Sequence, residues 1–402
     1  MVKHWSGKFK GLDTGSEDYE IADEVWEQIW KETAEAVRHI PAQFVRVLQS
    51  TPSYFTAEAW CFWFVYLAPI LLKGRFRDVK YYDHACQLGD IIKSCIALQF
   101  TYTEINQLQD NCIDWVQTYE KYYYQYKEER LSACPLTFHG LLHVPDDIRF
   151  CGPSSSTWTF LIERFCGVLQ AGLRSRRHPW ANLNNRVIRL AYLEQLGARY
   201  DLEEELSTHK HPEMILRAPY TRVNIPDALM RKRLAAYFAA VLKARCKDIQ
   251  PLLPEVMPRW GKLRIVDGDY IRSMLACGLD PEEDKEREMS FVRYELQVQE
   301  DMGAWTNKVF YGRLEEILVC KLSTNKIWSN LAGKTRLLAV ITPCATEGKD
   351  AARTVTFYTR MTQSIVTDLR TVVAVIGRAE TRGEWGIIDR SGGLLHPTFN
   401  SP

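Results

Sequence analysis

The spacing of apolar residues changes along this chain, and that change constrains its fold more than any single motif does. In the first half, apolar and small residues recur at helical intervals. Ile21, Val25, Ile29, Thr33 and Val37 are four apart, which places them on one stripe of a helix. Residues 57–72 follow Thr51-Pro52-Ser53, which supplies a turn and a cap. Residues 82–100 and 103–129 continue the helical pattern. Near the C-terminus the runs are short and of β type: 309–312, 316–322, 336–342, 354–359, 372–376 and 385–389. Turn-rich pieces such as Thr346-Glu347-Gly348-Lys349-Asp350 separate them.

The expectation is an α+β protein: a mainly α N-terminal two-thirds followed by a small β-rich, barrel-like C-terminal module. Pro251, Pro254 and Pro258 mark a boundary. The expected divisions are a helical region (1–133), a second helical region with basic segments (134–250), a loosely packed mixed linker (251–304), the β-module (305–394) and a tail (395–402).

Composition excludes some classes. With 46% apolar and 25% charged residues, wholesale disorder is not expected. The net charge is only +1, so any attraction to nucleic acid must come from a local patch. The N-terminus runs into polar sequence without the apolar segment of a secretory signal. The most apolar run, 59–72, is interrupted by Pro69 and falls short of the roughly 20 residues that cross a bilayer. It reads as a buried helix, and no membrane partner is expected. The 11 cysteines include no Cys-x-x-Cys. Cys61, Cys95 and Cys166 lie in apolar helical stretches, which suits reduced thiols in an intracellular protein. Tyr119, Tyr122, Tyr123, Tyr124 and Tyr126 could stack on unpaired bases, but packing between helices is the expected use.

Several clusters could carry chemistry. His139 and His143 would share a helix face, and Cys134 and Cys151 flank them, so the four could form a zinc set. The spacing matches no established zinc motif and Gly140 weakens the helix, so two packed or hydrogen-bonded histidines are the other reading. Ser154-Ser155-Ser156-Thr157 would cap a helix whose apolar face is Trp158, Leu161, Ile162, Phe165 and Leu169. Glu163 lies on its other side, either as a metal-binding carboxylate or as a solvated or arginine-paired surface group. Arg164, Arg174, Arg176, Arg177, Arg186 and Arg189 follow with only Glu163 as an acid among them. A second basic face falls on 229–247: Leu234, Tyr237, Phe238, Val241 and Leu242 would face inward, with Arg231, Lys232, Lys243 and Lys247 elsewhere. Guanidinium forks suit phosphate, so both segments could track a DNA backbone without reading sequence, or could be solvated faces. Phosphate-loop, dinucleotide and nucleophile-elbow motifs are absent from the sequence.

One stretch carries a resemblance. His143-Val144-Pro145-Asp146-Asp147-Ile148-Arg149, Cys151-Gly152-Pro153, Trp158-Thr159-Phe160-Leu161-Ile162-Glu163-Arg164-Phe165 and Ser175-Arg176 are similar to the helical region that follows the catalytic core of CACTA-type (En/Spm-like) DNA transposases of fungi. Phe44-Val45-Arg46, Ala57-Glu58-Ala59-Trp60 and Pro69-Ile70-Leu71-Leu72 resemble the segment leading into it. Phe310-Tyr311-Gly312-Arg313-Leu314-Glu315-Glu316-Ile317 and Trp385-Gly386-Ile387-Ile388-Asp389 resemble the accompanying β-module. The resemblance implies a complete enzyme with three carboxylates on an RNase-H-like core, holding two divalent ions, Mg or Mn. Glu163 compares with the third carboxylate, and the two aspartates would lie upstream. A lone carboxylate cannot hold a metal pair, so the chain is not expected to be catalytic alone. The implied function is a transposase-derived, nuclear, DNA-backbone-binding fragment using Arg174, Arg176, Arg177, Arg186, Arg189, Arg231, Lys232 and Lys243. The alternatives are a protein-interaction or scaffolding role, including a homo-oligomer, and a two-metal site completed by another segment.

Overall fold

The computed structural model describes residues 1–402 apart from 10–11, 13–14, 16, 46–47, 158, 171, 174–176, 201–209, 212–213, 266–267, 278–286, 300–304 and 392–402. The first layer is helical: α1 Val2–Trp5, α2 Asp23–Ala36, α3 Ala57–Phe62, α4 Ala68–Leu71, α5 Val79–Cys95, α6 Tyr102–Tyr119, α7 Leu136–Leu141 and α8 Val144–Cys151. Then come α9 Phe160–Gln170 and α10 Pro179–Tyr200, followed later by α11 Ala228–Leu242 and α12 Cys246–Ile249.

The four-residue spacing of α2 does bury one face, with Ile29 and Thr33 fully covered. Thr33 Oγ1 donates to the Ile29 carbonyl at 2.8 Å and accepts from the Trp63 indole at 3.2 Å. The cap of α3 differs from expectation. Thr56, rather than Thr51-Pro52-Ser53, accepts from the Ala59 N–H, because Pro52–Tyr54 forms its own 3₁₀ turn. Residues Trp63–Leu67 then widen into a π turn before α4. At α6 a capping box joins Thr101 and Glu104, and the helix relaxes through a π turn, Glu120–Tyr124, before Gln125 (φ 58) ends it. Tyr119 and Tyr123 are buried and bonded: Trp5 Nε1 donates to the Tyr123 hydroxyl at 2.9 Å, and the Tyr119 hydroxyl donates to the Ala133 carbonyl at 2.6 Å. Packing is therefore their use.

The strands are β1 Lys210–His211, β2 Met214–Thr221, β3 Arg259–Ile265, β4 Tyr270–Arg272, β5 Phe291–Gln299, β6 Trp305–Lys321, β7 Thr335–Pro343, β8 Phe357–Tyr358, β9 Ile365–Asp368, β10 Val372–Val375, β11 Gly377–Thr381 and β12 Glu384–Ile388. The first two expected runs of the β-module, 309–312 and 316–322, merge into the single long strand β6. On one edge β6 carries β5 along its first half and β3 along its second; on the other edge it carries β7. The main sheet runs β1-β2-β3-β6-β5-β10, with β4 on β3 and β9 on β7, while β11-β12-β8 form a second sheet. All these pairings are antiparallel.

Two expectations are corrected here. Among the described residues no ladder closes the sheet into a barrel; it stays open. The described residues of 251–304 are no loose linker, since β3, β4 and β5 lie among them and β3 sits between β2 and β6. In β3, Lys262 and Arg264 alternate with the buried Gly261 and Leu263.

One core joins the layers. Trp5, Ile29, Trp63, Leu71, Trp115 and Tyr123 from the helices share it with Leu216, Leu263, Leu314, Ile317 and Ile341 from the main sheet. On the opposite face of β6 and β7, Leu318, Cys320, Leu338 and Val340 pack with Leu234 and Phe238 of α11. The helical and β-rich parts are thus a layered body rather than consecutive modules.

Candidate functional site

Strands β2, β3 and β4 show how pairing register concentrates charge. Leu216, Leu263 and Ile271 are paired across the three strands and each is 0% exposed. Side chains alternate along a strand, so the neighbouring rows must face the other way. One of those rows is Arg217–Lys262–Arg272, paired in register across all three strands. The other is Ile215–Arg264–Tyr270. Four cations thus share one sheet face, and each is half-buried.

Directly opposed side chains stand about 5 Å apart at Cβ. Two unit charges at about 5 Å repel by roughly 3 kcal/mol at an effective dielectric of about 20, less where long side chains splay. A row of three cations is therefore costly unless anions sit among them. The Arg217 Nε is buried and has no acceptor among the described residues.

The local geometry of β2 supports this row. The register shifts between Arg217 and Tyr220, and the Pro219 ring fits over Gly261, where a Cβ would stand 2.6 Å from it. Gly261 is thus a contact only glycine permits. Beyond this irregularity Tyr220, 45% exposed, packs at a tilt against Trp260 with centroids 4.3 Å apart. At the flank Glu316 lies 3.8 Å from Arg259; burial pushes its carboxyl above the usual range while the arginine charge acts against that.

The residues singled out from sequence fare differently. Arg177 and Arg189 are exposed. Arg186 is half-buried and lies so close to Gly172 that any side chain there would collide with it. Arg174 and Arg176 lie outside the described residues. Lys232 and Lys243 are exposed, and Lys243 (φ 52) ends α11, so the helix stops short of the expected Lys247. Val241, expected to face inward, is 50% exposed. Arg231 is drawn inward: its guanidinium donates to the carbonyls of Pro254 at 2.9 Å and Leu253 at 3.1 Å. That tethers the proline-rich loop to α11.

His139 and His143 do meet, with Nε2 atoms 3.2 Å apart across the α7–α8 junction. Cys134 and Cys151 are both exposed and do not complete a set. Among the described residues no group of three or more His, Cys, Asp or Glu side chains could hold a metal ion. The four-residue spacing spans a helix break here instead of one continuous face. Glu163 falls on α9, but its side chain lies outside the described residues, as does Trp158. Of the expected apolar face of α9, Ile162 is 65% and Phe165 54% exposed while Leu169 is half-buried, and the side chain of Leu161 lies outside the described residues. Cys166 is exposed as well.

Sequence reading missed Arg217, Lys262, Arg264 and Arg272. The available signal was the alternation of Lys262 and Arg264 with Gly261, Leu263 and Ile265. Comparison with protein families, with curated proteins and with solved structures returns no match.

Proposed function

We propose that this chain is a transposase-derived protein that binds the phosphate backbone of DNA without reading its sequence. The observation that supports it most directly is the cross-strand row Arg217–Lys262–Arg272, with Arg264 beside it. Cations held in register on a sheet suit the regular spacing of phosphates, and base-edge chemistry is not required. Tyr220 offers an aromatic surface on the same strand as Arg217. The motifs around α8 and α9 are the source of the transposase reading, and a nuclear location follows only if that reading holds.

The test is fluorescence anisotropy with two unrelated duplexes across a salt series. Both duplexes should bind alike, and affinity should fall steeply with salt. Lys262→Gln and Arg217→Gln should each lower the log–log salt slope by about 1. Salt-insensitive or absent binding overturns the proposal.

A protein-interaction role is favoured by a different observation. Trp180 is 78%, Tyr192 61% and Leu193 63% exposed along α10, adding to Ile162 and Phe165 of α9. Large apolar side chains left exposed on two successive helices suit a protein interface where they gather into one patch. A chain that ignores DNA but forms a defined oligomer would favour this reading.

A further inference from the structure

The two most exposed large apolar side chains among the described residues flank His143 at equal distances along the chain. Leu136 is 81% and Phe150 86% exposed. Leu136, His139, His143, Asp147 and Phe150 follow one another at spacings of three, four, four and three, and all five are exposed. Residues three or four apart share a helix face, so α7 and α8 each keep their part of this row together. The break between the two helices bends the row without dispersing it. Leu142 and His143 hold right-handed helical dihedrals, and the imidazoles still meet with Nε2 atoms 3.2 Å apart.

That distance has a chemical meaning. Two nitrogens bound to one zinc ion at about 2.0–2.1 Å, with a tetrahedral angle between them, stand about 3.3–3.4 Å apart. The pair is therefore close to a chelating arrangement, and both rings are exposed, so an ion from solvent can reach them. One chain supplies only half of a site. Among the described residues no third His, Cys, Asp or Glu completes the pair, whereas a structural zinc takes four ligands.

A second copy supplies the other half, because the spacing of the row reads the same in both directions from His143. Two copies laid antiparallel about a two-fold axis at His143 set Leu136 of each against Phe150 of the other, and His139 against Asp147. A two-fold interface requires this kind of self-complementary patch. The apolar pairs leave water, and the Asp147 carboxylate can accept from the His139 ring nitrogen that faces away from the metal, the common second partner of a zinc-bound imidazole. We propose that two copies of this chain pair through α7 and α8 around one zinc ion, held by His139 and His143 of each. None of the residues that carry the DNA-binding reading takes part, nor do the exposed side chains of α9 and α10, so this pairing stands or falls by itself.

Sedimentation equilibrium of the full chain, in EDTA and then with half an equivalent of zinc chloride, tests the pairing, and native mass spectrometry counts the metal. A monomer is expected in EDTA and a dimer holding a single zinc once the metal is added. His143→Ala should abolish the zinc-dependent dimer, and His139→Gln, which removes the other nitrogen of the chelate, should do the same. Both rings are exposed, so each variant should melt with the wild type in EDTA. Phe150→Ser should weaken dimerisation at least about tenfold while zinc is still taken up. A dimer that persists in EDTA, one zinc on each monomer, or no zinc uptake overturns the proposal. So does a His143→Ala or His139→Gln chain that still dimerises with zinc, or a Phe150→Ser chain that dimerises as tightly as the wild type.

Discussion

His84 illustrates what burial does to a single titratable group. Its ring lies flat on Trp115, centroids 4.7 Å apart, and its Nε2 donates to the Trp115 carbonyl at 3.2 Å. Nδ1 is buried with no partner among the described residues. Burial therefore pulls the imidazole down to about 4, only partly opposed by the hydrogen bond to Trp115. The folded protein disfavours protonation, so the unfolded chain binds the extra proton first as pH falls below about 6.5. Stability is then lost progressively down to the folded value near 4. Between pH 7 and 4.5 this group should remove about 2 kcal/mol. Urea unfolding of wild type and His84→Phe at the two pH values checks this. The variant keeps a stacking ring but should lack that share of the acid loss; an equal loss in both would sink the assignment. Glu288 works in the opposite direction. Burial favours its neutral form, but hydrogen bonds from His39 and Arg378 and the arginine charge bring the carboxyl down to about 2.

At the scale of elements, close approach matters more than propensity. Helix α5 crosses the π turn so tightly that a Cβ on Gly89 would stand 2.6 Å from the Phe64 carbonyl oxygen. Gly89→Ala should therefore cost about 1–3 kcal/mol through overpacking, although alanine is the better helix former. Gly140→Ala in α7, where nothing lies within 4 Å, should be neutral or stabilising by up to about 1 kcal/mol. Thermal melts of the two variants make the comparison. The contrast also explains what sequence could reveal. The stripe of α2 was legible because burial follows a local repeat, and Ile29 and Thr33 lie where the spacing puts them. Strand β3 was obscured because Lys262 and Arg264 dilute a short apolar pattern. The basic row was not legible in any window, since residues 217, 262 and 272 meet only through register. Likewise nothing in the spacing of His139 and His143 signals that a helix break falls between them.

For the whole molecule the decisive contacts join the two ends of the chain. Arg75 Nη2 donates to both Glu32 oxygens, at 2.9 and 2.7 Å, and the Thr381 hydroxyl donates to the same carboxylate at 2.9 Å. A second junction sets Arg378 over Phe291 and Trp385, 3.4 and 4.2 Å from their rings, while it donates to Glu288 at 2.5 Å. Arg75→Met should cost about 3–5 kcal/mol, because it leaves the Glu32 charge buried without its cation. Helical and tryptophan signals should still disappear together, in one transition, because the helices and strands share a core. Two separated transitions, followed by far-UV circular dichroism and tryptophan fluorescence, would count against that shared core. The pairing of Glu32 with Thr381 also sets a schedule. At 5–20 residues per second of synthesis, the 349 residues between them take about 17–70 s to make. Helix α2 must therefore wait on the ribosome for that long, with its core-facing side uncovered by the partner it will finally have. A chaperone that binds exposed apolar helices has that whole interval in which to act.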